Sequence, residues 1–239
     1  MIEVAERAVL CALFRRYPGT LVWIGGSVLH LLYASPRASY DVDLCPKGEA
    51  PPTAQLTAVV QSALDELNII SGTRYALEEV AGSAVPCLLV KDGGSPAFRI
   101  DFTRIAGAVA DTKTTIIESP LGPQAVLVPT DSCLLLLKLE ALLFRRFVKP
   151  ADVFDIWFLL SRGTRLEKRH RAWLSVEVQA RELDWTELES RLNKLTAERF
   201  LADLKKRLSD QAFHGWNRQR AQTAVDAVRR LARKGIRWP

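Results

Sequence analysis

Short apolar runs separated by polar turns fill the first half of the chain, and helical periodicity fills the second. Val4, Ala8, Leu10, Ala12, Leu13 and Phe14 recur at helical spacing and predict an amphipathic helix over Ile2 to Arg16. Tyr17-Pro18-Gly19 stops it. LVWI, Leu21 to Ile24, predicts a buried strand ending at Gly25-Gly26-Ser27, and a short helix over Val28 to Tyr33 follows. A polar turn, Ser35 to Ser39, leads into YDVDLC, where Asp41 and Asp43 alternate with Val42 and Leu44 as in a strand. Pro46 to Pro52 reads as a loop, and Thr53 as the N-cap of a helix over Ala54 to Leu67. Tyr75 to Val80, Cys87 to Lys91 and Ala97 to Ile105 predict a three-strand meander, turning at Ser83-Ala84 and at Asp92 to Ser95. Ala106 to Leu121 has no clear period, and Val126 to Val128 reads as a last short strand. Helices are predicted over Ser132 to Arg146, with Thr130 or Asp131 as cap, and from Lys149-Pro150-Ala151-Asp152 to Leu160. Residues 161–239 read as several helices broken near Gly163, Asp184, Ser209 and Gly215.

The alternation in YDVDLC places both carboxylates on one face of a strand. Two adjacent carboxylates repel, and a cation between them relieves this. Oxygen-only ligands suit magnesium, which binds through one or two carboxylates together with substrate phosphates. Gly25-Gly26-Ser27 opens a helix, so its backbone N–H groups are placed to cradle those phosphates. A glycine turn alone is common, and D-x-D on a strand is more often solvated or salt-bridged. Together, with thirteen residues between Ser27 and Asp41, they resemble the signature of the polymerase-β-like nucleotidyltransferase superfamily. That resemblance implies a third carboxylate on a neighbouring strand. FRIDFTRI, Phe98 to Ile105, supplies Asp101 between Ile100 and Phe102, where an unpaired charge would be costly to bury. The meander would bring it alongside Asp41 and Asp43. Arg37 and Ser39 precede the aspartates and read either as nucleotide contacts or as turn chemistry. Ser39 shares the aspartates' face if the strand already runs there.

Composition narrows the classes. The 239 residues have room for one large or two modest domains. Cys11, Cys45, Cys87 and Cys133 form no C-x-x-C, and His30, His170 and His214 share no ligand spacing. Unpaired thiols in a reducing, cytoplasmic compartment are therefore expected, without a zinc site. The acidic N-terminus does not read as a signal peptide, and Cys133 to Phe144 is too short and too charged to span a bilayer. Charge is uneven. Residues 1–160 hold 14 Lys/Arg and 17 Asp/Glu, net −3, whereas residues 161–239 hold 19 and 10, net +9. A basic last third favours a polyanionic partner over a merely solvated surface, because the first half independently implies phosphate chemistry. Trp157, Trp173, Trp185 and Trp216 read as packing residues, and Trp238 as an RNA contact, a packing residue or part of a frayed end.

Lys138 and Arg145 lie on one helical face, as do Asp152 and Asp155 on the next helix. Taken alone these are a helical hairpin with surface ion pairs. The segment KLEALLFRRFVKPADVFDIWFLL, with G-G-S and S-x-D-x-D-L, resembles the AbiEii toxin family, which includes the MenT-like nucleotidyltransferases of bacterial toxin–antitoxin systems. The resemblance covers residues 20–160 and carries over Gly26-Ser27, Asp41, Asp43, Lys138 and Asp155. The family's arginine before the first aspartate of the pair is Ala151 here. It implies an α+β fold: a polymerase-β-like nucleotidyltransferase domain over residues 1–128, a mixed sheet flanked by helices. A helical domain over 129–239 would complete the active site through Lys138 and Asp155 and carry the basic helices. Two Mg2+ ions would sit on Asp41, Asp43 and Asp101, with a nucleoside triphosphate as substrate. Gly25, Gly26 and Ser27 would hold its phosphates, with Ser39 and Lys138 as further nucleotide contacts. Asp155 would orient Lys138 or touch base or ribose. The implied activity is transfer of a nucleotide, often a pyrimidine one, to the 3′ end of tRNA, which blocks aminoacylation and translation. The implied partners are tRNA or another RNA acceptor and a genetically linked antitoxin, with no membrane and a monomeric chain. Two other readings fit the residues: a nucleotidyltransferase acting on a small molecule or a protein hydroxyl, and a nucleotide- or RNA-binding module that has lost catalysis.

Overall fold

A computed structural model describes residues 2–81, 86–103 and 111–238. The turn expected at Ser83-Ala84, the end of the third meander strand at Ile105 and residues 106–110 lie outside them. The chain forms two compact units: residues 1–33 with 39–130, and residues 34–38 with 131–239.

In the first unit the order is α1 (Ile2–Arg16), β1 (Leu21–Ile24), α2 (Gly26–Tyr33), β2 (Asp41–Pro46), α3 (Thr53–Ser71), β3 (Tyr75–Glu79), β4 (Cys87–Asp92), β5 (Ser95–Phe102), β6 (Thr112–Ile117) and β7 (Gln124–Pro129). Five strands form a mixed sheet in the order β1-β2-β5-β4-β3. The meander is antiparallel, β1 pairs antiparallel with β2, and β2 and β5 run parallel. Parallel pairing of β2 with β5 aligns D-V-D-L with R-I-D-F, so the two acidic segments rise on the same face. Val42, Leu44 and Ile100 are wholly buried beneath that face, with Trp23 of β1. Helix α1 packs on α3 and β7, and its Leu10, Leu13 and Phe14 are buried.

Some boundaries differ from the sequence expectation. Thr53 is not a cap: it is the first residue of α3, Pro52 is the N-cap, and no side chain caps the end. The helix runs on to Ser71, where Gly72 turns left-handed and returns its N–H to the Asn68 carbonyl at 2.9 Å. Asn68 also grips both backbone groups of Tyr75, so the helix end and the start of β3 are one structure. Strand β6 occupies part of Ala106 to Leu121, where the sequence has no clear period. It pairs with β7 in a two-stranded ribbon, and β7 packs against β1 and α1.

The second unit is helical: α4 (Asp131–Phe144), α5 (Pro150–Ser161), α6 (Lys168–Ala180), α7 (Trp185–Asn193), α8 (Ala197–Lys205), α9 (Asp210–His214) and α10 (Arg218–Gly235). Asp184, Thr196, Ser209 and Asn217 cap α7, α8, α9 and α10 with side-chain bonds to backbone N–H groups. Helix α5 packs on α4, α8 and α10. Its Phe154 and Trp157 meet Trp216, which also takes Phe200 edge-on at 5.7 Å. Trp238 packs edge-on against Trp185 at 5.4 Å and donates to the Ala232 carbonyl. Among the described residues no helix is long and apolar enough to cross a membrane.

Candidate active site

Strand β1 is fully buried, and its end fixes the glycine turn. Ser27 is wholly buried, and its Oγ accepts from the Trp23 indole N–H at 2.9 Å. The Ser27 hydroxyl thus ties the first turn of α2 to β1, and the backbone N–H groups of Gly26 and Ser27 stand at the helix N-terminus. Gly25 has φ +87°, and a Cβ there would lie 2.1 Å from Asp43 Oδ2. Only glycine therefore lets the Asp43 carboxylate rest against this turn.

Asp43 lies directly opposite Asp101 in the parallel pair, and Asp41 lies opposite Arg99. All four side chains share one face by period-2 alternation. The structure thus brings Asp41, Asp43, Asp101 and the Gly25 turn together. Ser39 lies in the segment ahead of β2, which begins at Asp41, so the strand does not yet run at Ser39.

Arg99 shares this face, although nothing in the sequence pattern marks it out. Its Nε donates to Asp101 Oδ2 at 2.9 Å, its Nη2 lies 2.7 Å from the same oxygen, and its Nε is 3.6 Å from Asp41 Oδ1. Burial opposes its charge, but Asp101 and then Asp41 hold it above the ordinary arginine value. From the other side, Cys87 lies opposite Asp101 on β4. Burial first, and then the hydrogen bond to Asp101, push the Cys87 thiol up to about 11, so it stays a donor. Helix α1 adds a fourth carboxyl to the local field. Glu6 is 1% exposed, and its Oε1 has no partner among the described residues. Burial first, then Glu3 and, more weakly, Asp41 raise it to about 7, against the pull of Arg7.

Three hard oxygen donors on one face, one of them seated in a hollow that any Cβ would fill, suit a divalent cation.

Within the second unit, Lys138 of α4 and Asp155 of α5 form an ion pair at 2.7 Å. Asp155 has no solvent exposure, and Arg37 grips it bidentately, Nε to Oδ1 at 2.7 Å and Nη2 to Oδ2 at 2.8 Å. Burial would raise the Asp155 carboxyl, but Lys138 and then Arg37 hold it below the usual range. Asp152, also buried, pairs with Arg145 and lies 3.8 Å from Lys138. Residues 34–38 belong to this unit because Arg37 bridges to Leu208 and Ala38 donates to the Arg207 carbonyl at 2.9 Å. Arg37 is therefore neither solvent-facing turn chemistry nor presented to a ligand. It supplies to Asp155 an arginine that Ala151 cannot. With both oxygens held by cations, Asp155 orients Lys138 and offers no accessible atom to a base or ribose. A lysine ammonium has three N–H donors, and these two carboxylates engage at most two of them.

A family model described as nucleotidyl transferase AbiEii toxin, type IV TA system, matches residues 9–229. Two solved structures from Helicobacter pylori are similar over nearly the whole chain. One is described as a nucleotidyltransferase, 17% identical with a TM-score of 0.58, covering 98% of this chain and 93% of that one. The other, JHP933, is 18% identical with a TM-score of 0.57, covering 97% and 90%. At such identity they show the fold alone. No curated protein matches the chain.

Proposed function

The chain belongs to the AbiEii nucleotidyltransferase toxin family of type IV toxin–antitoxin systems, and from that premise we propose that it transfers a nucleoside monophosphate from a nucleoside triphosphate to the 3′ end of tRNA. A pyrimidine triphosphate is the expected donor, and loss of aminoacylation is the expected consequence. In the reaction the acceptor 3′-oxygen attacks the α-phosphorus and forms the new P–O bond as its hydroxyl proton passes to water. The bond to the bridging oxygen breaks, and pyrophosphate departs. The observation that carries this reading is the register of Asp43 against Asp101, with Asp41 on the same face and the Gly25 turn against Asp43.

Asp41, Asp43 and Asp101 would hold Mg2+, two ions in the expected arrangement. Bound there, Mg2+ supplies Lewis-acid polarisation of the phosphates, a lower pKa for the attacking hydroxyl and neutralisation of the leaving pyrophosphate. The chain's own part is positioning and charge. The N–H groups of Gly26 and Ser27 hold phosphate oxygens at the helix N-terminus. By the family resemblance Lys138 would be a further nucleotide contact, and Asp155 keeps its ammonium oriented. The excess of basic residues after position 160 supports a polyanionic acceptor held by salt-sensitive phosphate contacts. The partner implied by a type IV system is an antitoxin.

The test is incubation with each labelled nucleoside triphosphate, Mg2+ and total RNA, comparing wild type with Asp41→Ala. Label entering tRNA with wild type alone is the expected result. Label entering protein or a small molecule instead overturns the acceptor, and no transfer to any acceptor overturns the activity.

A further inference from the structure

We infer that the Arg99 guanidinium is a built-in counter-cation of the three-carboxylate face, which a divalent ion must displace and which then turns to the triphosphate that arrives with that ion. This rests on the proposed function, since it takes the face to be the metal site.

The register leaves Arg99 little choice of neighbour. It stands opposite Asp41 and two residues before Asp101, on the strand face that carries all three aspartates. Among the described residues its ion pairs are to those aspartates, at 2.7 Å to Asp101 and 3.6 Å to Asp41, and its side chain is 49% exposed. The guanidinium is thus anchored by the carboxylates and otherwise reaches solvent. Asp101 is only 14% exposed on its side chain, so an ion approaching it meets the guanidinium already on Oδ2.

A cation tethered two residues from its partner competes at a high effective concentration, in the millimolar range or above. A bare divalent ion must overcome that competition. An ion carrying a triphosphate also brings oxygens suited to a planar, five-donor guanidinium. Arg99 then exchanges one anion for another instead of losing its partner. The face therefore discriminates: it holds metal alone weakly and metal with triphosphate well. Arg99 is a positioning residue for the metal and a phosphate contact in the loaded state.

The experiment measures Mn2+ binding by calorimetry, with and without a non-hydrolysable triphosphate analogue, in wild type, Arg99→Ala, Arg99→Lys and Asp43→Ala. In Arg99→Ala, bare Mn2+ should bind about fivefold more tightly, a shift of the size expected on removing one exposed ion pair. The tightening of Mn2+ binding by the analogue should shrink at least as much, and Arg99→Lys should lie between. Wild-type protein gives a second readout independent of variant folding: the Arg99 Nε–H resonance should move on adding diamagnetic Mg2+ and again on adding the analogue. Unchanged or weaker binding of bare Mn2+ by folded Arg99→Ala, or an unmoved resonance, overturns the inference while leaving the metal site intact. Failure of wild type to bind Mn2+, or binding untouched by Asp43→Ala, removes the proposed metal site and this inference with it.

Discussion

Two charge clusters, one in each compact unit, use the same chemistry at opposite burial. On the sheet, Asp41, Asp43 and Asp101 face Arg99, with Asp41 and Arg99 about half exposed. Among the helices, Asp152 and Asp155 meet Lys138, Arg37 and Arg145, and Asp155 is closed off from solvent. An exposed cluster exchanges its cation at little cost, because water solvates whatever is released. A buried cluster does not, since each charge depends on its partner. The first is exposed enough to exchange a partner, as the inference above requires, and the second holds an ammonium and residues 34–38 in one geometry.

The sharpest way to break this contrast is Asp155→Ala. It leaves Arg37 and Lys138 without their shared buried carboxylate, and a loss of about 3–5 kcal/mol in unfolding free energy is expected. Urea denaturation measures it. Arg37→Ala should fall in the same range. Replacing Arg37, Lys138 and Asp155 together with apolar residues should cost less than either single change. Equal stability of Asp155→Ala and wild type would show that the cluster is not structurally coupled.

Glu6 blurs the contrast, because it is a carboxyl at 1% exposure in the same unit as the half-exposed Asp41. Its folded value of about 7 lies above the ordinary 4.5. Below pH 4.5 both folded and unfolded chains keep the proton, so the group is silent. Between about 4.5 and 7 the unfolded chain loses its proton first, and stability falls as pH rises. Above 7 the loss is complete, at most about 3 kcal/mol. Glu6→Gln should therefore gain on wild type across that window by about 2–3 kcal/mol, any fixed offset from the amide being independent of pH. Melts at pH 4, 5.5 and 7.5 test this, and a difference that does not change with pH would refute it.

Gly25→Ala tests how closely the exposed cluster is fitted. The substitution combines an unfavourable φ with a Cβ inside the Asp43 carboxylate, so about 1–3 kcal/mol should be lost. Because Asp43 must move, Mn2+ affinity should fall together with stability. A variant that melts lower but binds Mn2+ as wild type does would separate the turn from the metal face.

The sheet cluster was legible because alternation acts locally. Y-D-V-D-L and F-R-I-D-F each declare a face in five residues, and the meander made their meeting plausible. Arg99 stands two residues before Asp101, yet a basic residue on a half-exposed strand is routine and carries no signal of its own. The Arg37–Asp155 pair was not legible, since 118 residues separate the two and the contact exists only because residues 34–38 pack with the helices. Strand β6 hid for another reason. Thr112-Lys113-Thr114-Thr115-Ile116-Ile117 is rich in β-branched residues but lacks an apolar face, because only Ile117 is buried. The caps at Asp184 and Ser209 were readable from the sequence as breaks, whereas the one at Thr196 followed a turn too short to interrupt the pattern.

The smallest expected change in stability accompanies the largest in chemistry. Asp41 is about half exposed on its side chain, and its pairing with Arg99 is long at 3.6 Å. Asp41→Asn keeps the shape, removes one charge from a face where three repel, and should shift unfolding free energy by no more than about 0.5 kcal/mol in either direction. Nucleotide transfer should nevertheless be lost, because an amide is a poor partner for a hard cation. The same charge removed from Asp155 is expected to cost several kcal/mol. Equal losses at the two positions would mean that the sheet cluster, like the helical one, is structural, and the distinction between a trading site and a holding site would fail.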